Sequence, residues 1–175
     1  IGHSVRTLQE CLVEAKNDLT VETALVEARL LTGSPSLFEK FDNEFRDGID
    51  PQAFFHAKRI EQDERHIRFQ ESAFSLEPDC KESPGGLRDL QSILWIAQAA
   101  GFGNSWADLK NQGFITHLEQ QGLEHREQFL QRLRIELHLL TGRSDDRLPF
   151  AYPTAVAARL GLTALPTPPA RAPLI

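Results

Sequence analysis

The sequence has no methionine, only two cysteines and no long apolar run. Cys11 and Cys80 form no CxxC pair, so neither a zinc site nor a disulfide framework is indicated, and both are expected to be reduced structural thiols. No stretch approaches the roughly 20 apolar residues that cross a bilayer, and no signal peptide opens the chain. We therefore expect a cytoplasmic protein that does not enter a membrane. The lack of methionine even at position 1, with a start at Ile1-Gly2-His3-Ser4, indicates an excised fragment.

Familiar catalytic motifs are missing as well. The sequence contains no GxSxG, HExxH or Walker A pattern and no Asp-x-Asp pair beside a Gly-Ser motif. Among the six histidines, His56 and His66 share a helical face, but a rise of about 1.5 Å per residue places them roughly 15 Å apart. Common hydrolase and nucleotide-triphosphatase signatures are therefore absent, and we predict no metal site in this chain. His138, set among leucines, is expected to be a hydrogen-bonded core residue.

The charge balance argues against one class of partner. The net charge of −6 and the pI near 5.5 lack the basic footprint of a general nucleic-acid-binding protein. The 175 residues, 41% of them hydrophobic, are enough to bury a core as one domain, or one domain plus a flanking piece. Asp145 and Asp146 are adjacent, and we expect them to cap the chain locally or to pair with Arg143 and Arg147.

Apolar residues recur at helical spacing, and no strand pattern or internal repeat stands out. We therefore predict an all-α protein built as a multi-helix bundle. Ser4 or Thr7 is expected to cap the first helix, and Gly33 to end the second. The proline-rich residues 163–175 are predicted to form an extended linker. The predicted helices cover about residues 4–16, 20–32, 35–47, 51–72, 87–100, 105–113, 115–141 and 153–160.

Two of these helices have predicted apolar seams. The helix from Leu87 is apolar around most of its circumference and should lie in the middle of the bundle. The charges between residues 58 and 71 are expected to form a solvated, salt-bridged face. The longest helix is either continuous or bent at Gly122. The seam of the fourth helix comprises Ala53, Ala57, Ile60, Ile67 and Phe74, and that of the longest helix Leu123, Leu130, Leu133, Leu137 and Leu140.

A charged turn interrupts the helical pattern at residues 77–91, which read EPDCKESPGGLRDLQ. The backbone N–H groups of Gly85, Gly86 and Leu87 are predicted to point at an anion, with Lys81 and Arg88 adding positive charge. In the alternative, the Pro-Gly-Gly turn only reverses the chain while Arg88 and Asp89 form a surface pair. The candidate binding residues at this turn are Lys81, Glu82, Gly85, Gly86, Arg88 and Asp89.

The same turn carries a resemblance to a known family. It resembles the helical segment of bacterial PII uridylyltransferase/uridylyl-removing enzymes, and three further motifs extend the likeness in the same order along the chain. The resemblance covers about residues 2–162. The further motifs are Gly2-His3-Ser4-Val5-Arg6-Thr7, Glu27-Ala28-Arg29-Leu30-Leu31 and Leu137-His138-x-Leu140-x-Gly142-Arg143-x-x-Asp146-Arg147-Leu148-x-Phe150.

The resemblance implies a domain organisation and an activity. It implies a parent enzyme with four kinds of domain in order. These are a nucleotidyltransferase domain of the DNA polymerase β type, a helical domain, a metal-dependent HD phosphohydrolase domain and two ACT regulatory domains. Family members transfer UMP from UTP to a tyrosine of the signalling protein PII when glutamine is low and remove it when glutamine is high, with magnesium held by carboxylates. Residues 1–33 would end the transferase domain, 34–162 would form the helical bundle and 163–175 the linker. By this resemblance the catalytic carboxylates would precede Ile1, so no catalytic residue is expected in this chain and the fragment alone is expected to be inactive.

The resemblance also implies site residues and partners. His3, Ser4 and Arg6 follow the last active-site strand of the family and are candidates for lining the nucleotide pocket; alternatively Ser4 caps a helix and Arg6 lies at the surface. We expect the bundle to pack over the transferase cleft, with Lys81, Arg88 and the glycine turn contacting nucleotide phosphate or the PII loop. Two alternatives remain open, a passive spacer and the related helical domain of glutamine synthetase adenylyltransferase.

Overall fold

The computed structural model describes residues 3–70 and 77–162, and all regular secondary structure within them is helical. The predicted all-α multi-helix bundle is therefore confirmed for the described part of the chain. Its helices, in chain order, are α1 (Leu8–Asn17), α2 (Leu19–Val26), α3 (Pro35–Gly48), α4 (Pro51–Gln70), α5 (Leu87–Ala99), α6 (Trp106–Asn111), α7 (His117–Thr141) and α8 (Pro153–Arg159).

Local capping chemistry sets most helix ends. Thr7 and Thr116 each begin a helix with a capping box, in which the threonine hydroxyl accepts from a backbone N–H and a glutamate three residues on bonds back. Gly142 ends α7 in the left-handed conformation, at φ 68°. Of the two predicted caps of α1, Thr7 is confirmed and Ser4 is wrong. The predicted helix start at residue 4 is also wrong, because the residues before Thr7 are not helical.

The predicted extension of α2 to Thr32 is also wrong. The helix ends at Val26, and Gly33, at φ 114°, belongs to the following loop and stops no helix. Gln98 of α5 donates its side-chain amide to the Val26 carbonyl at 2.7 Å. A continuing helix would use that carbonyl for its own ladder, so the tertiary contact replaces the next helical hydrogen bond.

Three apolar clusters form the interior, and α5 contributes to two of them, in agreement with its predicted central place. The first contains one buried residue from each of the first five helices, namely Ala15, Val26, Phe45, Phe54 and Trp95. The second joins the residues before α5 to α7 and α8 through Cys80, Leu137 and Val156, and the third joins α5, α6 and α7. No helix among the described residues combines the length and apolar character needed to span a membrane.

The leucine seam of α7 is confirmed, since Leu137 is fully buried and Leu130, Leu133 and Leu140 pack beside it. Residues 117–141 form a single helix through Gly122.

The predicted seam of α4 is wrong. Ile60 and Ile67 are 61% and 69% exposed, whereas Phe54, Lys58 and Arg65 are buried. Lys58 lies over the Trp95 ring, and Arg65 pairs with carboxylates of α5 and of the turn. Paired cations thus occupy the inward face of α4, where the predicted seam placed apolar residues. For these two cations the predicted solvated face is wrong as well. Phe74 lies outside the described residues.

Candidate functional site

The Pro-Gly-Gly turn folds into a corner, residues 79–86, whose backbone donors are satisfied from within the chain. Gly85 N–H donates to Asp89 Oδ2 at 2.7 Å, Gly86 N–H to the Ser83 carbonyl at 2.8 Å, and Leu87 N–H to the Cys80 carbonyl at 3.1 Å. The prediction that these groups point at an external anion is therefore wrong. The corner is instead a compact structural unit at the N-terminus of α5.

Asp89 in the first turn of α5 joins the corner to α4. Its side chain is 14% exposed, and its carboxylate accepts from Arg65 Nη2 at 2.7 Å and Gln62 Nε2 at 3.0 Å. His66 Nε2 lies 3.0 Å from both carboxylate oxygens. Burial acts to raise the pKa of Asp89, but the hydrogen bonds from Gln62, Gly85, His66 and Arg65 outweigh it, and the pKa lies below its ordinary value. The alternative surface pair between Arg88 and Asp89 is not formed.

Glu82 is the second acidic residue of the corner, and three cations surround it. Its carboxylate lies 3.1 Å from Lys81 Nζ, 3.3 Å from Arg88 Nη2 and 3.9 Å from Arg65 Nε. Burial acts to raise the pKa of Glu82, yet the hydrogen bonds and positive charge of Lys81 and Arg88 leave it lowered. Glu82 thus stays ionised between side chains of the corner, of α4 and of α5.

These side chains lead into a groove between α2, α4 and α5, with a cavity of about 530 Å³. Trp95 lines it, with Lys58 Nζ 4.6 Å and Arg88 Cζ 5.3 Å from the centre of its ring. Such distances allow cation–π attraction. Lys58 is almost fully buried and also forms an ion pair with Glu61. We call this feature the α2/α4/α5 groove.

Arg65 is the most constrained cation of the groove. Its side chain is 8% exposed, and its Nε and Nη1 atoms have no hydrogen-bond partner among the described residues. The indole Nε1 of Trp95 is likewise buried without an acceptor there. A buried N–H donor without an acceptor lowers the free energy of unfolding, and three such donors lie at this groove.

Lys81 faces a different neighbour from Arg88. Its Nζ lies 3.9 Å from Asp146, which also accepts from Arg134 Nε at 2.6 Å and from His138 Nε2 at 2.9 Å. The prediction that Asp146 pairs with Arg143 or Arg147 is wrong, since its partners lie on α7 and the corner. Asp145, by contrast, does pair with Arg143, at 2.9 Å. His138 is hydrogen-bonded, as expected, but its side chain is 30% exposed, so it is half-buried and not a core residue.

The N-terminal candidates stand apart from the corner. His3, Ser4 and Arg6 are exposed residues before α1, and across residues 3–70 and 77–162 no hydrogen bond or ion pair joins them to the corner. Ser4 does not cap α1, because Thr7 does. Arg6 lines a separate cavity of about 540 Å³ together with apolar side chains of α1 and α3.

The structure therefore unites part of the predicted site and adds residues that sequence reasoning missed. Glu82 and Arg88 line the groove together, and Asp89 is linked to them through Arg65. Lys58, Arg65 and Trp95 were not predicted, although Lys58 and Arg65 are seven residues apart and so share a helical face. Within the described ranges, no three His, Cys, Asp or Glu side chains lie close enough to hold a metal ion together.

Comparisons with known proteins give one consistent result. The family described as GlnD PII-uridylyltransferase matches residues 53–170. Curated proteins named bifunctional uridylyltransferase/uridylyl-removing enzyme are similar to the chain. The one from Bordetella parapertussis is 52% identical over 95% of this chain and 19% of its own length. The one from Burkholderia thailandensis is 51% identical over 98% of this chain and 20% of its own length. The chain thus spans about a fifth of these relatives. No solved structure matches it significantly.

Proposed function

Because the chain belongs to the GlnD PII-uridylyltransferase family, we propose that it is the helical part of an enzyme that transfers UMP from UTP to the PII protein. The same cytoplasmic enzyme would remove UMP from PII in response to glutamine. In this proposal residues 1–33 end a nucleotidyltransferase domain of the DNA polymerase β type, residues 34–162 form the helical bundle and residues 163–175 link it to an HD domain. Ala15 and Val26 share a core with Phe45 and Trp95, so α1 and α2 pack directly on the bundle.

Chemistry in the parent enzyme would come from outside this chain. Phosphoryl-transfer enzymes of this kind position magnesium with carboxylates, and the described residues offer no such cluster. We propose that magnesium is held by the transferase domain and that this chain alone transfers no UMP. Its own contribution would be to position substrate.

The observation that supports a substrate-facing role is the position of Arg88. This cation lies at the N-terminus of α5, beside Glu82 and over Trp95, and it lines the same groove as α2. In the proposed domain arrangement α2 belongs to the transferase side, so the groove would open toward the cleft. Arg88, with Lys81 at the corner, would contact nucleotide phosphate or the PII loop. His3, Ser4 and Arg6 would lie nearer the nucleotide pocket.

Kinetics of the full-length enzyme test this role. Arg88→Ala and Lys81→Ala are expected to lower kcat/KM for PII uridylylation by about tenfold each, the worth of one charge-assisted hydrogen bond. Arg59→Ala is the matched control, because Arg59 is an exposed cation of α4 whose partners among the described residues lie on its own helix. Unchanged kinetics in both corner variants, with intact folding, would contradict the role.

One observation favours a second function, that of a passive spacer. The backbone donors of the corner are bonded internally, and both Glu82 and Asp89 are paired, as a purely structural corner would require. A spacer would show no UTP-dependent change in melting temperature. A binding domain at 100 times its dissociation constant gains about 2.7 kcal/mol of stability. Thermal melts of this chain with and without UTP therefore separate the two functions.

A further inference from the structure

The α2/α4/α5 groove has more buried donors than acceptors. Nε and Nη1 of Arg65 and Nε1 of Trp95 are buried, and no acceptor among the described residues reaches them. Both side chains line the groove. A molecule that brings several oxygen acceptors could satisfy these donors after a small movement of the side chains.

Glu82 already supplies one carboxylate at the mouth of the groove, but it is shared. It is hydrogen-bonded to Arg88 at 3.3 Å, while its distance of 3.9 Å to Arg65 Nε is an ion-pair contact too long for a hydrogen bond. The carboxylate thus lies between two guanidinium groups and accepts a hydrogen bond from only one of them. An oxyanion with more oxygens would bridge both, since a guanidinium binds phosphate oxygens through paired N–H donors.

We propose that the α2/α4/α5 groove is a binding site for a pyrophosphate-type oxyanion, and that the Glu82 carboxylate occupies the place of that anion between Arg65 and Arg88. The anion binds when the Glu82 carboxylate moves out from between Arg65 and Arg88, while Lys81, already 3.1 Å from it, remains its partner. Arg65 and Arg88 are then the principal ligands, and the Trp95 ring lies beside them in the groove.

The other charges of the groove are compatible with this assignment. Four carboxylates line it. Glu61 is neutralised by Lys58, and Glu82 is the group that moves. Glu27 and Glu64 are exposed at the rim, where solvent and salt screen their repulsion. The cavity of about 530 Å³ is also within the range of small-molecule sites.

The oxyanion site stands on the geometry alone, whereas its identification with the phosphate chain of UTP rests on the proposed function. Inorganic pyrophosphate and UTP are therefore separate probes. The chain contains two tryptophans. Trp95 lies in the groove, and Trp106 donates its indole N–H to Glu127 at 2.7 Å in another cluster. Their two indole signals in a ¹⁵N–¹H spectrum provide a reporter and an internal control within one sample.

The experiment titrates pyrophosphate at constant ionic strength and follows both indole signals. The Trp95 signal is expected to shift saturably while the Trp106 signal stays in place. Glu82→Gln keeps the shape of the side chain but removes the competing charge, and is expected to tighten binding about tenfold. Arg88→Gln is expected to weaken it by a similar factor. The exposed Arg59→Gln is expected to bind like the wild type.

Three results would overturn the site. The first is a Trp95 signal that does not move in Glu82→Gln, although both indole signals of that variant remain well dispersed. The second is an equal effect of Arg88→Gln and Arg59→Gln on binding. The third is a parallel shift of both indole signals. If Arg88→Gln does not fold, Glu82→Gln still decides, because it predicts a gain that a structural role would not produce. Binding of pyrophosphate without binding of UTP would uphold the oxyanion site and refute its assignment to the nucleotide.

Discussion

Replacing Asp89 by asparagine should expose how strongly the corner depends on its link to α4. Asp89 compensates Arg65, a cation that is 8% exposed, and also accepts from Gln62 and from the backbone N–H of Gly85. Asparagine has no charge and presents one acceptor and one donor group. Whichever way the asparagine amide is turned, its NH₂ group therefore faces N–H donors whose hydrogen bonds the Asp89 carboxylate accepts.

Removing one partner of a buried ion pair typically costs about 3 to 5 kcal/mol. Since the asparagine oxygen keeps part of the hydrogen bonding, we expect a loss of about 3 kcal/mol in the free energy of unfolding for Asp89→Asn. In a domain of this size that loss lowers the melting temperature by roughly 9 °C.

Urea and thermal unfolding followed by far-ultraviolet circular dichroism at pH 7 measure this effect. Asp63→Asn is the matched control, because Asp63 is an exposed residue of α4 whose partner Arg59 lies 3.6 Å away. We expect less than about 0.5 kcal/mol for the control. If Asp89→Asn destabilises the chain no more than Asp63→Asn, the argument that Asp89 anchors the corner on α4 is refuted.

Three further predictions concern stability, each measured by urea unfolding. Gly86→Ala should cost about 2 to 3 kcal/mol, because a Cβ there would lie 2.7 Å and 2.8 Å from two backbone carbonyl oxygens; a neutral effect would contradict this packing. Leu137→Ala, at a fully buried position, should cost about 3 kcal/mol, and a loss no larger than that of exposed Leu139→Ala would show the α7 seam to be misassigned. The pKa values of Asp89 and Asp146 are lowered from 3.8, so their contribution is fully present above the ordinary aspartate range and is lost as the pH falls through the lowered values. The wild type should lose more stability than Asp89→Asn between pH 6 and pH 3, and parallel pH profiles would contradict this.

Much of the fold could be predicted from local patterns. The end of α7 at Thr141 and its leucine seam follow from periodicity within one helix, and both predictions are confirmed; the capping box at Thr116 is not among the predictions. The end of α2 could not be read that way. It depends on a hydrogen bond from Gln98, which is 72 residues distant in sequence. A contact over that separation leaves no local pattern.

The candidate site shows the same division. Prolines, glycines and charges concentrate at residues 77–91, so the sequence predicts a distinct turn there. It does not predict the partners of the Glu82 and Asp89 carboxylates. Arg65 and Lys58 lie on a helix face that apolar spacing assigned to solvent, and only tertiary packing places them against Asp89 and Trp95. Their spacing of seven residues places both cations on one face of α4, but Glu61 and Arg68 have the same spacing, so this signal does not single them out. Nor does it identify their partners.

A structure of the full-length enzyme bound to a non-hydrolysable UTP analogue decides whether the α2/α4/α5 groove receives the nucleotide. We predict phosphate oxygens within about 3.2 Å of guanidinium nitrogens of both Arg65 and Arg88, with the Glu82 carboxylate moved out from between them. Phosphates bound elsewhere, with Glu82 still lying between Arg65 and Arg88, would contradict the assignment.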